Sequence, residues 1–246
     1  MTYETRTRAK IGVLVPFTNT NLEADMMLMR CPDTTVHFQR MGGYDVDEIP
    51  GSDQMAGLGA SDISHDLKMI AGVRPDVVLY GCTSATLTHG PSFDAQLARD
   101  IKAASGAHSF TAAAALVAAI KTIGAKKVGF SSPYLGEINT QAMAFLAQNQ
   151  IETVKCADIG RELGNYGQGE LTPDEVFDLA CAADHPEAEV IVLSCTDMRA
   201  VEAIEDIEQE LDKPVVTSNQ AMMFEVVRAL QLTRQKNLCG RLFELI

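Results

Sequence analysis

The chain has 246 residues, 46% of them hydrophobic and 22% charged, and 20 basic against 33 acidic side chains leave a net charge of −13. That make-up suits a soluble globular protein of one or two domains rather than a disordered or fibrous chain. With no basic cluster to contact phosphates, no nucleic-acid partner is expected. The longest apolar run, 112–120, falls well short of the roughly 20 residues a membrane helix needs. The first residues are polar, and the first apolar run stops at Pro16, so no secretory leader is expected and the predicted location is cytoplasmic. The six cysteines never come closer than 14 positions, so there is no CxxC pair; reduced thiols and no metal site are expected.

In chain order, short Val- and Ile-rich runs predict strands over 10–15, 35–40, 77–80, 108–110, 127–130, 153–157, 190–193 and 215–217. Between them, helical periodicity is clearest over 112–120, 139–149, 173–183 and 200–211, the last carrying Val201, Ile204, Ile207 and Leu211 on one face. Residues 217–219 precede a further helix over 220–229. Alternation of this kind predicts an α/β fold with parallel sheets covered by helices. Two stretches break the pattern. Residues 42–62, with five glycines and five acidic side chains, and the Gly-rich 160–172 read as long irregular loops over a site or on the surface.

The halves repeat. Lys10-Ile11-Gly12-Val13-Leu14-Val15-Pro16 resembles Lys127-Val128-Gly129-Phe130-Ser131-Ser132-Pro133, and Val77-Val78-Leu79-Tyr80-Gly81-Cys82-Thr83 resembles Val190-Ile191-Val192-Leu193-Ser194-Cys195-Thr196, at offsets of 117 and 113. This predicts two similar lobes related by a pseudo-twofold axis, with the active-site cleft between them. The N-terminal lobe would span 1–109, with 220–246 packing back on it, and the C-terminal lobe 110–219.

Cys82 and Cys195 each follow a strand directly, where ligands of open parallel sheets bind and where a following helix N-terminus would favour a thiolate. Two thiols flanking one cleft can act on opposite faces of a planar carbon beside a carboxylate, which is the chemistry of racemisation or cis–trans isomerisation without metal or organic cofactor. Thr83, Ser84, Thr196, Asn19, Thr217 and Ser218 supply neutral donors for a small carboxylate substrate. Thr217 and Asn19 also suit plain capping and turn roles. The five histidines show no HExxH pattern. Gly57-Leu58-Gly59 is only a fragment of a dinucleotide fingerprint.

The paired Cys-Thr turns resemble the aspartate/glutamate racemase superfamily over nearly the whole chain. Val15-Pro16-Phe17-Thr18-Asn19-Thr20-Asn21-Leu22-Glu23 is similar to the opening motif of its maleate cis–trans isomerase branch, and Tyr134 in Ser132-Pro133-Tyr134 fits that branch. The resemblance implies that Cys82 adds to the alkene of maleate to give a succinyl-cysteine intermediate on the way to fumarate. Cys195 then handles the proton, and Asn19, Tyr134 and Asn165 hold carboxylates. Gly81-Cys82-Thr83-Ser84-Ala85-Thr86, Ser194-Cys195-Thr196-Asp197-Met198-Arg199 and Val215-Val216-Thr217-Ser218-Asn219-Gln220 resemble a neighbouring branch linked to ectoine and hydroxyectoine utilisation. The chain also resembles arylmalonate decarboxylases, which keep only the second thiol. An amino-acid racemase or isomerase is the alternative enzyme, and a non-catalytic small-acid sensor the alternative of another class. The apolar stretch 112–120 and the methionines Met26, Met27, Met29, Met222 and Met223 point to a homo-oligomer, a dimer or tetramer.

Overall fold

The computed structural model describes residues 8–45, 48–134, 136–233 and 239–246; the polar residues 1–7 and one of the acidic residues of 42–62, Asp47, lie outside them. All eight expected strands are present, most of them extended by a residue or two. They are β1 (Ala9–Pro16), β2 (Thr34–Met41), β3 (Val77–Tyr80), β4 (His108–Thr111), β5 (Lys127–Ser132), β6 (Glu152–Asp158), β7 (Val190–Leu193) and β8 (Val215–Thr217). They form two parallel four-stranded sheets with the orders β2-β1-β3-β4 and β6-β5-β7-β8. The second order repeats the first strand for strand, as the internal repeat predicts.

The central strands explain their own composition. Ile11, Val13, Leu14 and Val15 in β1, and every residue of β3 and β7, are fully buried, because helices cover both faces of each sheet. The edge strands β2 and β6 are half-exposed and carry the charged residues Arg40, Glu152 and Lys155. In chain order the helices are α1 (Leu22–Leu28), α2 (Ser52–Gly59), α3 (Ser64–Ala71), α4 (Thr83–Leu87), α5 (Pro91–Ser105), α6 (Ala112–Ile123), α7 (Gly136–Gln148), α8 (Pro173–Ala182), α9 (Ile204–Leu211) and α10 (Ser218–Leu230).

Three differences from expectation have plain causes. The stretch 42–62 is not irregular throughout, since it contains α2, whose glycines weaken the helical signal but whose Met55 and Leu58 bury against the core. The expected helix over 200–211 begins as a single 3-10 turn, Val201–Ala203, before α9. The apolar stretch 112–120 is covered within the chain, where α6 packs on α10, and Met26, Met29, Met222 and Met223 are fully buried. The buried ones complete the core, while Met27 stays about half exposed. Helix α10 also touches α1 and β4, so the chain returns from the second sheet to the first. No helix among the described residues is long and apolar enough to cross a membrane.

Candidate active site

The four innermost strands, β1 and β3 of one sheet and β5 and β7 of the other, bring their carboxyl ends to one place. Beyond β1 lies Asn19, beyond β3 Cys82, beyond β5 Tyr134 and beyond β7 Cys195, and all four line a single cavity. The turn at Cys82 is tight. A Cβ on Gly81 would lie 2.3 Å from Leu22 Cδ2 and 2.7 Å from the Leu14 carbonyl oxygen, so only glycine lets β3 pass this close to β1 and α1.

Direct bonds hold the two thiol-bearing turns together. The Thr196 hydroxyl donates to the Gly81 carbonyl (2.9 Å) and accepts from Asn19 Nδ2 (3.1 Å), tying the residue after one thiol to the residue before the other. Asn19 Oδ1 accepts from the backbone of Asn21 (3.1 Å) and Leu22 (2.9 Å) and so also caps the start of α1. Outside the cavity, the Arg40 guanidinium donates to the Asn19 carbonyl (2.9 Å), fixing the same loop from behind. Tyr134 is held by a separate cluster: its backbone N–H donates to Ser132 Oγ (3.1 Å), Ser132 Oγ donates to Asn139 Oδ1 (2.6 Å), and Asn139 Nδ2 donates to the Tyr134 carbonyl (2.8 Å). The Tyr134 phenol then shares the cavity wall with Ser84 from one half and Cys195 from the other.

The cavity is small, about 40 Å³, on the order of three waters at ~10–15 Å³ each. Any ligand larger than a few atoms must therefore displace part of its wall. Pro50, Tyr134 and Gln168 separate it from a neighbouring hollow of about 250 Å³ that Arg161, Glu137 and Glu162 also line. Tyr44, Met55 and Leu58 close one side, Asn165 and Gln168 another, and no Lys, Arg or His is among the described lining residues. Among the described residues no three His, Cys, Asp or Glu side chains group to hold a metal ion.

Electrostatics here differ from the expectation of depressed thiol pKa values. Burial pushes the Cys82 thiol up, and backbone and Ser84 hydrogen bonds only partly offset it. Burial, followed by the Asp197 carboxylate, likewise pushes Cys195 up. The reason is geometric: Cys195 is followed by an open turn rather than a helix, and Cys82 caps only the five-residue α4, so little helix dipole opposes desolvation. The Cys195 thiol donates to Gln168 Oε1 (3.4 Å) and accepts from the Asp197 backbone N–H (3.3 Å). Burial also lifts Tyr134 well above the usual phenol range and Tyr44 to about 12.

Of the residues singled out from sequence, Cys82, Cys195, Asn19, Ser84, Tyr134, Asn165 and Thr196 line the cavity. Thr83, Thr217 and Ser218 do not. The Thr83 hydroxyl donates to Ser218 Oγ (2.9 Å), and Thr217 forms a capping box with Gln220 at the start of α10, so their hydroxyls serve the packing behind the wall. Asn165 donates its side-chain amide to the Glu48 carbonyl, joining the 160–172 segment to the 42–51 loop. The sequence reading missed Gln168, Tyr44, Met55 and Asp197 in the wall, and it missed the pair behind it. Asn219 Nδ2 donates both to Asp25 Oδ2 (2.7 Å) and to the Thr196 carbonyl (3.0 Å). Asp25 is almost wholly buried, and burial lifts its carboxyl from 3.8 to about 7.

The sequence model of one family, described as arylmalonate decarboxylase, matches residues 11–243, nearly the entire chain. The chain belongs to the arylmalonate decarboxylase family. Its similar relatives include a maleate isomerase from Geobacillus stearothermophilus, 27% identical over 91% of this chain and 92% of that protein. The arylmalonate decarboxylase of Bordetella bronchiseptica is also 27% identical, but over 59% of this chain and 61% of its own length. Among solved structures, a Nocardia farcinica maleate cis–trans isomerase with a covalently bound succinylcysteine intermediate superposes with a TM-score of 0.85 at 22% identity, over 95% of this chain and 97% of that one. That likeness carries the two-sheet fold. Family membership agrees with the resemblance read from the paired Cys-Thr turns.

Proposed function

We propose that the chain is a cofactor-independent isomerase that uses Cys82 and Cys195 on a small carboxylate, most like maleate cis–trans isomerase. The observation carrying this reading is that thiols from the ends of β3 and β7 line one cavity, with the Tyr134 phenol beside them. Relatives spanning nine-tenths of the chain that are maleate isomerases support it.

The residues suggest the following course. Cys82, its proton released to solvent, adds as the thiolate to one alkene carbon, forming a C–S bond while the π electrons move to the other carbon and its carboxylate. The Cys195 thiol delivers its proton to the other carbon, giving a succinyl-cysteine. Rotation about the resulting single bond, return of that proton to Cys195 and expulsion of the Cys82 thiolate re-form the alkene in the trans geometry. No atom or electron is gained overall. Tyr134, in the wall beside Ser84 and Cys195, would orient the proton donor, and Asn19, Asn165 and Thr196 would hold the carboxylates. Cys82 takes the attacking role because it caps the start of α4, where backbone N–H groups favour a thiolate, whereas an open turn follows Cys195.

Incubation with maleate, followed by proton NMR for fumarate, tests the reading: turnover should appear and should vanish in both Cys82→Ala and Cys195→Ala. A sensor would bind without turnover, and a decarboxylase would release carbon dioxide from an arylmalonate. A second reading, an isomerase or racemase acting on an amino acid or an ectoine-derived acid, is favoured by one feature, the Asp197 carboxylate in a cavity wall without a basic side chain.

A further inference from the structure

Asp197 directs its two carboxylate oxygens to different uses. Oδ1 accepts from the Thr20 N–H (2.7 Å), the Asn21 N–H (3.0 Å), Asn21 Nδ2 (3.3 Å) and the Thr20 hydroxyl (3.4 Å). Oδ2 accepts none of these bonds, and none of the described residues donates to it. The residue lines the thiol cavity, and its charge is felt at Cys82, Cys195 and Tyr44 alike. A Cβ on Gly169 would sit 2.6 Å from Thr20 Oγ1 and 3.1 Å from Asp197 Oδ1, so the backbone of the 160–172 segment packs closely over the bonded side.

An unpartnered carboxylate oxygen on a residue that lines a cavity selects for a donor, because setting it against a second carboxylate costs both hydrogen bond and Coulomb repulsion. The remaining wall offers only neutral side chains to a ligand and no side-chain cation for a second carboxylate. We propose that Asp197 Oδ2 forms a nitrogen-recognising subsite, so that the preferred substrate is a small monocarboxylate whose other polar end is a cationic or N–H-donating nitrogen, not a dicarboxylate dianion. The proposal deepens the isomerase reading and rests on it for the reaction, while concerning recognition alone.

Maleate and maleamate share one carbon skeleton and differ in a carboxylate against a carboxamide, which makes them the probes. Each is assayed with the full-length protein for cis–trans turnover by NMR and for protection of Cys82 from iodoacetamide by peptide mass spectrometry. The wild type should favour maleamate by roughly 10- to 100-fold, a fraction of what a unit charge pair a few ångströms apart gives at a partly buried site. Asp197→Asn keeps an Oδ1 acceptor for Thr20 and Asn21 but turns the free oxygen into an N–H donor, and should reverse the preference toward maleate. A structural role alone would move both probes equally. A wild type that prefers maleate, a ratio unchanged in Asp197→Asn, or failure of both probes to protect Cys82 overturns the subsite. Protection by maleamate over maleate without turnover of either would keep the subsite and overturn the isomerase reading.

Discussion

Replacing Asp25 by Asn should stabilise the protein at alkaline pH and remove a large part of its pH dependence. Asp25 is almost wholly buried in α1 and accepts from Asn219 Nδ2. Lifting the carboxyl from 3.8 to about 7 costs the ionised native state about 4 kcal/mol at pH 8, at ~1.36 kcal/mol per pH unit. Because the native carboxyl holds its proton longer than the unfolded one, stability is fully present below about pH 4, falls as pH rises toward 7, and is flat above. Asn cannot ionise and can still accept from Asn219 through its oxygen, but its new N–H group must find a partner, at a cost of ~1–3 kcal/mol. A net gain of about 1–3 kcal/mol at pH 8 is therefore expected, with a small change or a loss at pH 4. Urea unfolding at pH 4, 6 and 8 measures it. A variant that loses stability with rising pH as steeply as the wild type would refute the assignment of that slope to Asp25.

Three further outcomes follow from the same geometry. Gly81→Ala drives a methyl against the Leu14 carbonyl and Leu22 and should cost about 1–3 kcal/mol or more in chemical denaturation; an unchanged midpoint would contradict the close approach of β3 to β1. Asn139→Ala removes the bonds to Ser132 and the Tyr134 carbonyl, so about 1–3 kcal/mol of stability should go, with a fall in kcat larger than any rise in KM as Tyr134 loses its orientation. Because burial raises the Cys82 thiol, its alkylation by iodoacetamide in the ligand-free protein should keep accelerating above pH 9; a plateau already at pH 7 would mean that the thiolate is stabilised after all.

Much of the fold was legible because it is carried by local pattern. The Val- and Ile-rich runs mark strands buried on both faces, and the repeated Pro and Cys-Thr signals reflect two sheets of the same strand order. Helix α2 was hidden because Gly57 and Gly59 dilute its period, although Gly59 is there for contact: a Cβ would lie 2.3 Å from the Ala85 carbonyl. The thiols were legible as a matched pair at strand ends. Their raised pKa values were not, since desolvation depends on what covers a residue and not on what precedes it. Asp25 and Asn219 lie 194 positions apart, and no local spacing pairs them. Asp197 stood in plain view within Cys195-Thr196-Asp197, but only the fold brings its carboxylate to the Thr20 and Asn21 amides and the cavity wall.

The division of labour between the two sulfurs is the centre of the account. Cys195→Ser, incubated with maleate or maleamate, quenched in acid and mapped by peptide mass spectrometry, should trap the substrate skeleton on the peptide containing Cys82 and on no other cysteine. An adduct on a different cysteine, or undiminished turnover in Cys82→Ala, would contradict it.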